Sequence, residues 1–158
     1  MIERRSHSFS KFFAVVACVV TLGLGLGAST AAADPVQDYI EQEAVRALVE
    51  MGHTYYAMNC AACHGMTARG GGPAASALKT PPPDLTLIAA RRNGKFDIDE
   101  LSQFIDGRFS PGAHGSREMP IWGSEFSRSV GGGPTGDEIT RGRILALLEY
   151  LRTLQRNK

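Results

Sequence analysis

Hydrophobic positions recur with a helical period in two segments near the ends of the chain. From about Glu43 to Cys63, the residues that return on one helical face are Val45, Leu48, Val49, Gly52, Tyr55 and Tyr56. Residues 34–42 are more polar and are predicted to form a lead-in before this helix. In the C-terminal segment, one apolar face contains Ile144, Leu147, Leu148, Leu151 and Leu154. Thr135 and Glu138 have the spacing of a capping box, which predicts that the last helix begins there.

Between these two helices the chain is rich in glycine and proline, and it is predicted to be mostly loop over residues 65–83 and 107–134. Asp84 and Asp97 are placed to cap two short helices, the second of which stops at Gly107. No segment shows the alternating pattern of a strand, so the sequence predicts an all-α fold of three to five helices. Loops of this length in a small domain need a large group to pack on, and an apolar cofactor would supply one.

The first 33 residues have the order of a secretory signal. A basic start, MIERRSHSFSK, is followed by the apolar run FFAVVACVVTLGLGLGA and by small residues at Ala31 and Ala33. Cleavage after Ala33 would leave residues 34–158 as one exported domain, which we expect to be periplasmic. The apolar run is longer than a usual signal core, so an uncleaved membrane anchor is the alternative.

Charge and cysteine content narrow the classes of partner. The full chain has 17 basic and 16 acidic residues, and a mature chain that begins at Asp34 keeps 14 basic and 15 acidic ones. There is no basic stripe of the kind that binds nucleic acid and no polybasic patch for a membrane surface. Without the leader only Cys60 and Cys63 remain, and in an oxidising compartment we expect both thiols to be occupied.

These two cysteines belong to the stretch NCAACHG at residues 59–65. On a helix, Cys60, Cys63 and His64 leave from one face, which could meet a haem, a metal ion or a redox partner. A structural zinc site needs four ligands, and a thioredoxin-like couple needs a strand before it; the sequence offers neither. C-x-x-C-H is the attachment signature of c-type haem, in which two thioether bonds hold the macrocycle and the histidine is the proximal iron ligand. The expected cofactor is one covalent haem c with its iron.

The proline cluster Pro81–Pro83 is a plausible source of a backbone carbonyl for the second ring nitrogen of His64. For the second axial position, the candidates Met51, Met58 and Met66 all lie close to the attachment turn in sequence, and Met58 is expected to fill the core. Met119 lies 55 residues after His64 in an irregular stretch stiffened by a proline, so we expect it to be the ligand. His114 is the rival ligand.

The chain resembles the class I c-type cytochromes of bacterial periplasmic type. The resemblance rests on the motif at residues 60–64, on the segment MPIWG that begins at Met119, and on a pattern in the first and last helices. Gly52 and Tyr56 stand where these proteins cross their first helix over the last one, and Leu147 and Tyr150 stand on the partner face. The resemblance implies a cytochrome c fold around one haem, with axial ligands His64 and Met119.

The expected function is therefore that of a periplasmic monohaem cytochrome c, an electron carrier and not an enzyme, which transfers single electrons between redox proteins. The mature chain has three lysines, at positions 79, 95 and 158, so we expect transient and partly apolar docking at the haem edge. Two alternatives remain open. One is a dedicated cytochrome subunit of a periplasmic dehydrogenase. The other is a peroxidase-like or gas-binding haem protein, in which His114 and Arg117 would act near the iron.

Overall fold

The computed structural model describes residues 34–108 and 118–156, and this part of the chain is helical, with no strand. Its α-helices are α1 (Pro35–Asn59), α2 (Ala61–His64), α3 (Ile88–Arg91), α4 (Ile98–Asp106), α5 (Trp122–Arg128) and α6 (Gly133–Thr153). Two short 3₁₀ turns occur at Ala75–Ala77 and Leu85–Leu87. The predicted all-α class is confirmed, with four helices of seven or more residues and two of a single turn.

The predicted leader, residues 1–33, lies outside the described residues, as do His114 and Arg117. Among the helices of residues 34–108 and 118–156, none combines the length and the apolar character needed to cross a bilayer.

Helices α1 and α6 cross in direct backbone contact at Gly52. A Cβ atom built on Gly52 would clash with the carbonyl oxygen of Ala146 and lie 2.8 Å from Cβ of Tyr150. One turn further along α1, Tyr56 is fully buried and its ring centroid lies 5.4 Å from that of Tyr150. Leu147 is 2% exposed at the same crossing. The crossing that the family resemblance implies is therefore present, and glycine is required because only a missing side chain allows this approach.

The buried face of α6 is also as predicted. Its Ile144, Leu147, Leu148 and Leu151 side chains are at most 4% exposed. The start of this helix was predicted wrongly. It begins at Gly133 rather than at Thr135, after glycines with positive φ and with Pro134 in its first turn, and no side chain caps it. The proline presets the helical φ angle, so Thr135 and Glu138 lie inside the helix, and Glu138 pairs with Arg141.

Helix α1 also begins earlier than the apolar pattern predicts, at Pro35 instead of near Glu43. The Asp34 carboxylate accepts a hydrogen bond from the Val36 backbone N–H, and Pro35 occupies the first helical turn. The side chains of Val36, Tyr39 and Ile40 are all more than half exposed. These turns form because of local capping rather than burial, which is why hydrophobic periodicity did not indicate them.

The loop-rich middle contains the two predicted caps and one helix that was missed. Asp97 caps α4 through the Glu100 backbone N–H, and Gly107 ends that helix with φ of 69°. Asp84 caps the 3₁₀ turn that leads into α3. Helix α5, inside the segment predicted as irregular, has only two large apolar residues, Trp122 and Phe126, whose ring centroids lie 5.3 Å apart. Two such positions are too few to establish a period.

An arginine joins the ends of α4, α5 and α6. Arg108 donates to both carboxylate oxygens of Asp106 at 2.8 Å and also pairs with Asp137 near the start of α6. A Cβ atom on Gly123 would lie 2.5 Å from Nε of Arg108, so the first turn of α5 packs directly on this pair. The Arg108 hydrogen bond, followed by that from the Ser127 hydroxyl, holds the pKa of Asp137 below its usual range. The cluster thus joins the end of α4 to the first turns of α5 and α6.

Substitution of Gly52 by alanine is expected to destabilise the protein by about 3 kcal/mol or to prevent folding, because the added methyl group would force the α1 and α6 backbones apart. Gly142→Ala is the matched control on α6, since nothing lies within 4 Å of its added Cβ. That variant should be as stable as the wild type or gain about 0.5–1 kcal/mol. Denaturant unfolding followed by circular dichroism measures both. Equal stability of the two variants would contradict the crossing.

Replacement of Asp137 by asparagine is expected to lower stability at neutral pH, because Arg108 loses its ion pair with this carboxylate. The folded-state pKa of Asp137 is lowered, so its contribution is full above the unfolded-state pKa and is lost as the pH falls through the folded-state value. Thermal unfolding temperatures of wild type and variant should therefore differ at pH 7 and converge in strong acid. The control is Glu138→Gln, which breaks an exposed pair on the same helix and should change little. A constant difference at all pH values would refute the linkage.

Candidate haem-binding site

The attachment residues lie where α1 gives way to α2. Cys60 is the C-cap of α1, with φ of −114°, and its carbonyl accepts hydrogen bonds from the N–H groups of Cys63 and His64 at 3.1 and 2.9 Å. Helix α1 ends at its C-cap, Cys60, and the next turn, α2, is helical again. As a result, both thiols and the imidazole line one cavity, as their spacing predicted.

A glycine-rich loop closes around the end of α2 and holds the turn in place. The carbonyls of Ala62, Cys63 and His64 accept hydrogen bonds from backbone N–H groups of residues 70–74, at 2.8 to 3.1 Å. The Tyr56 hydroxyl donates to the Gly65 carbonyl at 2.6 Å. These bonds satisfy carbonyls that a helix end leaves without partners. A side chain at Gly72 would lie 2.5 Å from the Ala61 carbonyl, so the loop can approach only with glycine there.

The cavity beside this turn has a volume of about 590 Å³. Its walls are mainly apolar and come from both long helices, from α4 and from the loops that precede α3 and α5. The apolar residues that line it include Tyr56, Leu78, Leu85, Ile88, Leu101, Phe104, Ile105, Trp122, Leu147, Leu148 and Leu151. A cavity of this size and character suits a large, predominantly apolar organic group.

The two thiols are suited to covalent attachment. Cys60 and Cys63 form no disulfide in the structure. Burial, with a smaller contribution from the neighbouring Cys63, raises the pKa of Cys60 to about 12, so its thiol is neutral at ordinary pH. A structural zinc site takes four ligands, whereas residues 34–108 and 118–156 contain no group of three or more His, Cys, Asp or Glu side chains that could hold a metal ion. The donor set therefore fits two thioether bonds to an organic macrocycle better than it fits a structural zinc site.

The imidazole of His64 lies in surroundings that disfavour its charged form. Burial lowers its pKa, and the backbone carbonyl of Pro83 raises it as the smaller effect. Its Nδ1 atom is buried and makes no hydrogen bond of regular geometry. A neutral imidazole has a lone pair to give to a metal, and the Pro83 carbonyl is the neighbouring acceptor that can orient the ring. This carbonyl belongs to the proline cluster from which such an acceptor was predicted.

Among the four methionines of residues 34–108 and 118–156, only Met119 lines the cavity. It is half-buried and packs against the hydrophobic core. Met51, Met58 and Met66 are 45%, 76% and 59% exposed. The prediction that Met58 fills the core was wrong, because its position on α1 faces solvent. The structure therefore brings Cys60, Cys63, His64 and Met119 to one cavity, and the axial role of Met119 stays a prediction.

Three charged residues also line this cavity; Arg91 and Arg92 were predicted to lie on a solvated helix face, and Glu118 was not identified from the sequence. Arg91 and Arg92 line it, where Arg91 donates to the Asp84 carbonyl at 2.6 Å and Arg92 pairs with Glu100 at 3.1 Å. Glu118 also lines it and accepts hydrogen bonds from two backbone N–H groups about 40 residues earlier in the chain. A contact over that separation leaves no local pattern, and only the position of Glu118 beside Met119 could have indicated it.

Comparison with known proteins agrees with this geometry. The family model for cytochrome c matches residues 49–155, which is more than half of the chain and includes all the site residues described above. No curated protein and no solved structure gives a significant match. Members of this family bind haem c covalently through cysteines, and Cys60 and Cys63 have the required C-x-x-C spacing. The all-α structure with its cavity is the cytochrome c fold, and the chain belongs to the cytochrome c family.

Proposed function

We propose that this protein is a periplasmic monohaem cytochrome c that carries single electrons between redox proteins. The observation that supports this most directly is that one apolar cavity is lined by the two cysteines and the histidine of the C-x-x-C-H motif and by a single methionine. The periplasmic location rests on the order of the leader, residues 1–33, and the role as an electron carrier is the general one of the family.

Each of these residues has a defined part in the proposal. Cys60 and Cys63 hold the haem, while His64 and Met119 are the two axial ligands of its iron. When bound, the haem supplies the one-electron Fe(III)/Fe(II) couple, and histidine–methionine ligation raises its reduction potential. With both axial positions filled by the chain, the iron has no open position for a substrate. This favours an electron carrier over a peroxidase-like or gas-binding protein.

The chain's other contribution is a rigid and dry environment. Tyr56 and Leu147, at the α1–α6 crossing, both line the cavity and are almost completely buried. Their packing excludes water from the macrocycle and limits movement of the attachment turn. Because the geometry is the same before and after electron transfer, the structural rearrangement is small. The protein supplies the position and the reduction potential, while the cofactor carries the electron.

The proposed partners are redox proteins that dock transiently near the cavity mouth. Of the three lysines in the mature sequence, Lys95 is paired with Asp97 at 2.7 Å. Ile121, which follows the cavity-lining residues Met119 and Pro120, is 42% exposed. A surface with few lysines and an exposed aliphatic side chain favours a small, partly apolar contact over steering by a single-sign charged patch.

The axial role of Met119 is tested by the visible spectrum of the ferric holoprotein. Wild type should show the weak red absorption band of a methionine-to-iron(III) bond, and Met119→Ala should abolish it and lower the reduction potential. The matched control is Met58→Ala, because Met58 is 76% exposed and does not line the cavity. A wild-type protein that lacks the band and binds small ligands readily would instead favour His114 ligation or chemistry at an open iron.

The docking proposal predicts a weak dependence of electron-transfer rates on salt. Stopped-flow reduction and oxidation with one anionic and one cationic metal complex should each change by less than about threefold between low salt and about 0.15 M ionic strength, whereas electrostatically steered reactions change by about tenfold or more. The reason is that positive and negative side chains are nearly balanced in the mature sequence. A steep and opposite dependence for the two reagents would reveal a single-sign field at the haem edge.

A further inference from the structure

The segment that carries Met119 meets a second loop at the cavity. We call residues 118–121 the distal loop and residues 79–83 the proline loop. Both contribute to the cavity wall, through Glu118, Met119 and Pro120 on one side and Thr80 with the proline cluster on the other. The position of Met119 relative to the attachment turn therefore depends on what holds these two loops together.

One side chain bridges the two loops. The Glu118 carboxylate accepts a hydrogen bond from the Lys79 backbone N–H at 2.6 Å through Oε1, and one from the Thr80 N–H at 3.3 Å through Oε2. Hydrogen bonds from N–H groups to an ionised carboxylate are stronger than those between neutral groups. Both oxygens of Glu118 are thus committed to the opposite loop.

The proline loop has no other backbone donors to offer. Pro81, Pro82 and Pro83 lack an N–H group, so Lys79 and Thr80 carry the only backbone N–H groups of residues 79–83. Glu118 accepts from both of them. A run of three prolines is also stiff, because each ring fixes its φ angle, and it therefore transmits this anchoring along the cavity wall as far as the Pro83 carbonyl beside His64.

We propose that Glu118 is a positioning residue that latches the distal loop to the proline loop and thereby keeps Met119 at its axial position. The inference rests on the proposed axial role of Met119. In this arrangement, opening of the latch is the local event that exposes the sixth position of the iron to small ligands. The apparent affinity for an external ligand is then set by the fraction of molecules in which the latch is open.

The test uses full-length holoprotein in four forms: wild type, Glu118→Ala, Glu118→Gln and Glu125→Ala. Alanine removes both acceptors, whereas glutamine keeps one oxygen of the same reach. Glu125→Ala is the matched control, because it breaks an exposed ion pair with Arg128 seven residues along the chain, at a carboxylate that does not line the haem cavity. Two readouts are required, namely amide hydrogen exchange at Lys79 and Thr80, and the equilibrium affinity of the ferric protein for cyanide.

Glu118→Ala should exchange both amides at least about tenfold faster than wild type and bind cyanide at least about tenfold more tightly, as expected for the loss of charge-assisted hydrogen bonds. In both amide exchange and cyanide affinity, Glu118→Gln should lie between wild type and Glu118→Ala, and Glu125→Ala should match wild type. The red methionine–iron band should persist in Glu118→Ala and disappear at a lower cyanide concentration than in wild type.

Unchanged amide exchange in Glu118→Ala would overturn the latch itself. Faster exchange with unchanged cyanide affinity would overturn the positioning role, since Glu118 would then only stabilise the loop. Failure of the proposed function is seen separately, as a wild-type spectrum without the red band or a band that survives Met119→Ala. In that case Met119 is not held at the iron, and the positioning role falls with the ligand.

Discussion

The close approach of α1 and α6 at Gly52 is the contact on which the cavity depends. Because Gly52 has no side chain, its backbone reaches the carbonyl of Ala146, and Tyr56 packs one turn later against Tyr150. This contact fixes the C-terminal end of α1, whose cap is Cys60, beside the buried face of α6. That face forms one wall of the cavity. A wider separation of the two helices would move the attachment turn away from the wall against which the cofactor must pack.

The fold was predictable where buried residues recur with a helical period. It was less predictable where the local backbone conformation determines the start of a helix. The buried face of α6 follows the apolar period of its sequence, whereas the glycine at the crossing was implied by the family resemblance. The start of α6 is different, because Pro134 and the glycines before it begin the helix without a side-chain cap. The first turns of α1 are exposed and leave no apolar period. Helix α5 is short, and its Gly123 packs against Arg108, a residue that is distant in sequence.

The candidate site divides in the same way. Cys60, Cys63 and His64 lie within five residues, so their common face could be predicted from spacing, and their chemistry from the C-x-x-C-H signature. Met119 was selected from the sequence because it lies far from the attachment turn, and its place at the cavity agrees with that choice. The contacts of Glu118 and Arg108 could not be predicted. Each joins segments that are distant in sequence or belong to different helices, and nothing in the local pattern specifies their partners.

The two sides of the cavity are therefore held by different kinds of interaction. On the attachment side, backbone hydrogen bonds within about ten residues fix His64, such as that between its carbonyl and the Gly70 N–H at 2.8 Å. On the Met119 side, the contacts are made by charged side chains. Glu118 is adjacent to Met119 in the chain, and the Arg108 cluster packs on the first turn of α5, which follows Met119. The Glu118 hydrogen bonds are exposed, and exposed charged contacts open more readily than a turn that several backbone hydrogen bonds hold together. The contacts that hold His64 are therefore the firmer ones. Substitutions of charged residues can more readily weaken the contacts that hold Met119. With Met119 as the proposed axial ligand, the charged contacts around it would set how often the iron is accessible.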